Sequence, residues 1–204
     1  VETVTGGASS DLVVFTNQIT GSTVDLAGGG DRIVLGGFVN TVTVSNVETV
    51  TGGASTDLVT LAAAVTGANV DLGRGGDRLT FSASGATVTV TEVETVVGGA
   101  ASDVLTFATQ ATAVSVDLAG GADRVVLGDF MNTLSIANVE TITGGASIDS
   151  VTLTAQATGT TVDLGTGADK LTLGAFANTV TVASVETVTG GVSADTVVWS
   201  AIAT

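Results

Sequence analysis

The side chains here that could do chemistry are nearly all carboxylates, and their spacing is regular. Nine follow a valine at a constant interval: Glu2, Asp25, Glu48, Asp71, Glu94, Asp117, Glu140, Asp163 and Glu186. Nine more follow small-residue stretches. Asp11, Asp57, Asp103, Asp149 and Asp195 share one context; Asp31, Asp77, Asp123 and Asp169 share another. Of the 20 acidic residues only Glu92 and Asp129 fall outside these sets, so the repeat sets the charge pattern. With neither His nor Cys in the chain, imidazole, thiolate and disulfide chemistry are excluded, and the side chains most used for zinc are missing. Two uses of carboxylates remain: paired acid–base work and ligation of divalent cations.

The partners follow from the charge. Five basic residues against 20 acidic ones leave a net charge of −15. That surface repels nucleic acid and anionic lipid, which bind through Lys/Arg clusters. No apolar run reaches the roughly 18 residues of a membrane span, so no membrane insertion is expected. No signal peptide is recognisable, and the chain opens inside a repeat, as a processed or partial chain would.

These carboxylates need a scaffold that repeats as they do. "VETVTGG" at Val1 returns at Val47, Val93 ("VETVVGG"), Val139 ("VETITGG") and Val185, a constant 46-residue step. Residues 1–204 therefore read as a single repeat array with a partial fifth copy. Midway through each copy stands a second acidic dipeptide, Val24-Asp25 and its equivalents, which suggests a 23-residue turn. Short alternating runs such as "DLVTL" and "TVTV" between glycine-rich corners are strand signals. Three such strands and their corners would fill one turn. The expected fold is all-β: a parallel β-solenoid, β-helix- or β-roll-like, with 23-residue turns paired into 46-residue repeats, about nine turns in all. A sandwich or propeller is the structural rival. In the solenoid, Val1, Val24, Val47 and Val70 stack in one column. Val13, Ile33, Val59 and their equivalents, and Phe15, Leu35, Leu61 through Trp199, line the core. Phe38, Phe130 and Phe176 are core or corner plugs. Thr3 and its equivalents alternate with Leu26 and its equivalents, which argues against an unbroken threonine face of the kind ice binding needs.

Stacked in this way, each acidic set becomes a ladder of like charges. Two unit charges about 5 Å apart repel by roughly 0.8 kcal/mol in bulk water and by more near a protein surface. Arg32, Arg78, Arg124 and Lys170 offset only alternate turns. Glycine-rich turns expose carbonyls and the aspartates add carboxylate oxygens, the donor type calcium takes in sixes to eights. The corners "VDLGTGADKLTL" and "VDLGRGGDRLTF" resemble the hemolysin-type, or RTX, calcium-binding repeat, whose nonapeptide is G-G-x-G-x-D-x-U-x. Gly165, Gly167, Asp169 and Leu171 match it, as do Gly73, Gly75, Asp77 and Leu79. The other two corners of this type carry Ala27 and Ala119 at the earlier glycine. The resemblance implies calcium between successive turns, folding driven by extracellular calcium, and secretion from a bacterium to the cell surface. Its implied ligands are Asp31, Asp77, Asp123 and Asp169 with Asp25, Asp71, Asp117 and Asp163. Asp11, Asp57, Asp103, Asp149 and Asp195 follow in corners where Ser9, Ser55, Ala101, Ser147 or Ser193 replaces the third glycine. The plain alternatives are a solvated acidic stripe for the valine-linked set and Asx turns for the corner aspartates.

The expected function is structural and not enzymatic: a calcium-stiffened solenoid in a surface layer, filament or adhesin stalk. A carbohydrate- or surface-binding adhesin module is the alternative, and a polysaccharide-acting enzyme a more distant one. The enzyme would use Glu92 and Glu94, but adjacent strand residues point to opposite faces. Neither end reads as a polar cap, so self-association is expected, head to tail or within a longer chain.

Overall fold

The computed structural model describes residues 2–200 and contains, among them, twenty-two β-strands and no helix. Strands alternate between two sheets. The first strand, β1 (Thr3–Thr5), pairs in parallel with β3 (Thr20–Asp25), and β2 (Leu12–Val14) pairs with β4 (Arg32–Val34). Repeated along the chain, this gives two eleven-stranded parallel sheets, every odd strand in one and every even strand in the other. The chain is thus a parallel β-solenoid of about ten turns with two strands per turn. At about 4.8 Å per rung its ten intervals span roughly 48 Å.

The 23-residue turn is corrected by the register. In the first sheet the partners run Thr3, Thr23, Thr43, Thr60, Thr80, Val97, so each turn is shorter than the half-repeat and comes in two lengths. Thr23 to Thr43 is the longer and Thr43 to Thr60 the shorter. Each 46-residue repeat therefore holds five strands and two and a half turns. Successive copies of the "VET" strand fall on opposite sheets: β1 in the first, β6 (Thr49–Gly53) in the second, β11 (Thr95–Val97) in the first again. The expected valine column dissolves accordingly. Val24 stacks on Val4 and Val44, whereas Val70 stacks on Val50 in the other sheet. Val1 lies outside the described residues. The physical reason is that a turn flattened to two strands closes sooner than one built from three.

What fixes the register is the inward pattern. Val42, Val59, Leu79, Val96, Val116, Ile136 and Leu153 form one continuous column, each at most 4% exposed. A one-residue slip would turn all of them outward, and each such burial is worth about 1.5–3 kcal/mol. The residues expected to point inward do so; Trp199 continues the column from the buried Val182 but, on the last described strand, is 59% exposed. On the outer face the shorter register stacks Thr3, Thr23, Thr43, Thr60 and Thr80 without interruption. The alternation with Leu26 does not occur, because Leu26 is buried.

Candidate functional site: the corner carboxylate ladders

A strand entering from a corner presents backbone N–H groups along the solenoid axis, and each needs an acceptor on the next turn. Here side chains supply it. The Asn40 N–H donates to Asp57 Oδ1 at 3.2 Å, the Asp57 N–H to Asp77 Oδ1 at 2.7 Å, and the Asp77 N–H to Glu94 Oε2 at 2.7 Å. These bonds alternate short and long steps in the chain, the same alternation that sets the turns. The aspartate–aspartate–glutamate part recurs in every repeat. Asp11 donates to Asp31 and Asp31 to Glu48, at 2.8 and 2.6 Å. Asp103 donates to Asp123 and Asp123 to Glu140, at 2.8 and 2.7 Å. Asp149 donates to Asp169 and Asp169 to Glu186, at 2.7 and 2.6 Å.

The nine-membered acidic columns expected from the sequence are therefore corrected to short ladders of two aspartates and one glutamate. They alternate between edges: Asp11 and Asp31 lead into β2 and β4 of one sheet, while Asp57 and Asp77 lead into β7 (Asp57–Leu61) and β9 (Arg78–Phe81) of the other. The remaining set is separate. Asp25, Asp71, Asp117 and Asp163 accept the N–H two residues on, from Ala27, Gly73, Ala119 and Gly165, at 3.1–3.2 Å. These are Asx turns. They stand at strand ends and do not join Glu48 and its equivalents in one column.

The two aspartates of a ladder have unlike surroundings. Asp57 Oδ1 accepts from both the N–H and the Nδ2 of Asn40, and its Oδ2 accepts the Gly53 N–H. Such donors favour the carboxylate; at the equivalent Asp195 the Asn178 amide holds the carboxyl below its ordinary value. Asp149 keeps both donors of Asn132 on Oδ1, while its Oδ2 is buried without a partner. Asp77 has one backbone donor, and its Oδ2 is likewise buried without a partner, as are those of Asp31, Asp123 and Asp169. Burial pushes Asp77 and Asp123 up to about 6 against the hydrogen bond from the preceding turn, with the neighbouring carboxylates adding to the rise. Asp169 rises for the same reasons.

The glycines follow from these folded-back carboxylates. A Cβ on Gly75 would stand 2.6 Å from Asp77 Oδ1, and one on Gly98 would stand 2.7 Å from Asp103 Oδ2. Glycine is needed so that the corner can admit its own aspartate.

Calcium takes six to eight oxygens. The corner aspartates Asp31, Asp77, Asp123, Asp149 and Asp169 give Oδ1 to a backbone N–H and keep a buried Oδ2 without a partner, while the Asp25 set is turned back on its own loop. Among the described residues no three acidic groups are placed to share an ion. A groove lined by Glu92, Glu94, Phe107, Gln110 and Phe130 does bring two acids together, but Glu94 already holds the Asp77 N–H.

Asn40, Asn132 and Asn178 were not anticipated. All three are at most 1% exposed. Asn40 joins three corner segments through Ile19, Phe38 and Asp57, and the other two repeat its bonds. Their signal was present: an asparagine two residues after Phe38, Phe130 and Phe176, opening an alternating run. Those phenylalanines are corner residues and not core, 43–46% exposed, with the ring over the glycine two residues earlier. No protein-family model, curated protein or solved structure matches the chain.

Proposed function

We propose that the chain is a structural element, a stiff rod segment of an extracellular bacterial filament, surface layer or adhesin stalk. The observation that supports it is uniformity: five strands in each 46-residue repeat, the same corner ladder in every repeat, and no insertion that would build a unique cleft. Two repeats bring the same strands back to the same sheet, so further copies extend both sheets in register, within a chain or by head-to-tail association. Placement outside a cell rests on the resemblance of the corners alone. Electron microscopy of tandem copies tests the rod: length should rise by about 12 Å per repeat, from two and a half rungs of about 4.8 Å. Compact particles or a bent chain would refute it.

A second reading, an adhesin module, gains from the outer face. Besides the five stacked threonines, Thr95, Ser115, Ser135, Thr152, Thr172 and Thr189 form a continuous hydroxyl column. A periodic polysaccharide could meet such a face. Saturable glycan binding lost on Thr152→Val with Thr172→Val would favour it over a purely structural rod.

A further inference from the structure

We infer that the groove between Glu92 and Phe130 is a binding site for an amino-sugar unit of a cationic polysaccharide. The inference rests on the adhesin reading but places the ligand at a corner and not on the hydroxyl face. The groove lies between the segment of Glu92 and Glu94 that enters β11 and the segment 107–112 that leads into β13 (Thr112–Asp117) on the next turn. Phe130 reaches it from the turn after that. It encloses about 380 Å³. Its counterparts 46 residues away are smaller: about 70 Å³ beside Asn46, Glu48 and Thr66, and about 140 Å³ beside Asn138, Glu140 and Gln156. Of the three, only the first reaches the roughly 300 Å³ at which small-ligand sites begin. Neither of the smaller grooves is lined by a phenylalanine.

Three kinds of group line this groove, and an amino sugar is the class that uses them all. Phe130 is 43% exposed. Its ring offers an apolar platform to the C–H face of a pyranose, and its π face attracts a cation. Gln110 donates its Nε2 to Met131 O at 2.7 Å, which leaves Oε1 to accept from a sugar hydroxyl. Thr109 and Thr112 add hydroxyls of their own. The third group is the carboxylates. Glu94 gives Oε2 to the Asp77 N–H at 2.7 Å and keeps Oε1. Glu92 stands where other repeats carry Asn46, Asn138 and Ser184. Those asparagines are tied to Asp25 and Asp117, whereas Glu92 lines the groove. Among the described residues no Arg or Lys lines it, so the positive charge that would meet these two acids must come from the ligand. An ammonium group supplies it through charge-assisted hydrogen bonds. A neutral sugar leaves the acids unmet, and an anionic one is repelled. The net charge of −15 acts in the same sense, drawing a polycation toward the rod.

The test is calorimetric titration of the full chain with chitosan oligosaccharide and with its fully N-acetylated, neutral counterpart. Mildly acidic buffer keeps the amines protonated and the glutamates ionised. The chitosan oligomer should bind, and the acetylated one should bind about tenfold more weakly or not at all. Glu92→Asn installs the residue found at Asn46 and Asn138, so the fold is kept while affinity should drop about tenfold. Phe130→Ser, with the residue found at Ser84, should lower it by a similar factor, whereas Phe176→Ser should not change it. Asp25→Asn removes one charge at another corner, keeps the Oδ1 acceptor and should also leave binding unchanged. Amide shifts in the nitrogen-15-labelled unmodified chain are the independent measure should a variant not fold: chitosan oligomer should move the Gln110 side-chain amide and the backbone of Glu92, Thr112 and Phe130. Equal losses in Glu92→Asn and Asp25→Asn would reduce the attraction to net charge and overturn the site, as would the absence of binding. Acetylated oligomer that binds through Thr152 and Thr172 and is indifferent to Glu92→Asn would keep the adhesin reading and sink the groove.

Discussion

The corner after β4 in the first repeat and the corner after β9 in the second occupy equivalent places and solve one problem with different atoms. In the first, Asn40 is fully buried. Its Oδ1 accepts the Ile19 N–H at 3.1 Å, and its Nδ2 donates to Gly36 O, Phe38 O and Asp57 Oδ1. Gln18 adds a bond to Val39 O at 2.8 Å. In the second repeat Ala64, Ser84 and Ala86 replace Gln18, Phe38 and Asn40 together. There the backbone takes over: Val65 donates to Gly85 O at 3.3 Å, and Ala86 pairs with Val65 in the sheet. Strand β8 (Val65–Gly73) consequently begins one residue earlier than its counterpart β3. Buried N–H and C=O groups must be matched. A side chain can match them, or a longer ladder can, and the three positions change together because they serve one solution.

The sharpest way to break that comparison is Asn132→Ala in the third repeat. Asn132 accepts the Ala111 N–H and donates to Gly128 O, Phe130 O and Asp149 Oδ1. Removing it strands several buried groups at once, for an expected loss of about 2–4 kcal/mol by urea denaturation. A loss below about 1 kcal/mol would mean that this corner can extend its ladder as the second repeat does, and that the asparagine is dispensable.

A smaller effect of opposite sign is expected at Glu92. It holds the left-handed position that Asn46 and Asn138 hold, with φ of 48° against 52° and 53°. Those asparagines donate to Asp25 and Asp117 at 2.7 Å. Glu92 instead brings a further carboxylate to the strand end where Thr91 pairs with Asp71. Glu92→Asn should stabilise the chain by about 1 kcal/mol at neutral pH, from the αL preference and the restored hydrogen bond. The gain should persist in high-salt melts, since only the repulsive part is screened.

These differences explain what could be read from the sequence. The repeat, the all-β class and the inward residues such as Val59, Leu79 and Leu105 follow from period-two alternation, which is local. The turn length does not. The half-repeat from Val24 to Val47 is an interval between similar sequences. The stacking interval is the shorter one from Val42 to Val59, or from Val59 to Leu79, set by how much corner separates the strands. The role of the corner aspartates was hidden for the same reason. The residue type announced a polar group at a tight corner, but its partner lies one turn away, and without the register Asp57 cannot be matched to Asp77. Asn40 was hidden because a lone asparagine before a strand reads as a turn residue; its meaning lies in the buried bond to Ile19 on the preceding turn.

The smallest effect concerns the bulge that every repeat shares. The sheet register shifts by one residue at Gly21, Gly67, Ala113 and Gly159, with φ of 75°, 77°, 57° and 88°. Three repeats thus place glycine at a left-handed residue and the third in sequence places alanine. A Cβ at Gly21, Gly67 or Gly159 would meet nothing within 4 Å, so packing does not decide the choice. Two backbone effects remain. An L-residue in this conformation is strained by about 1–2 kcal/mol, while glycine loses more chain entropy on folding, by about 0.5–1 kcal/mol. The strain is the larger, so Ala113→Gly should stabilise by about 0.5–1 kcal/mol, and Gly67→Ala should destabilise by a similar amount. Paired thermal melts of the two variants check this, because the prediction is in the opposite signs. Equal signs would show that the two bulges differ in more than the missing Cβ. The third repeat would then hold its bulge in another way, as the second repeat does its corner.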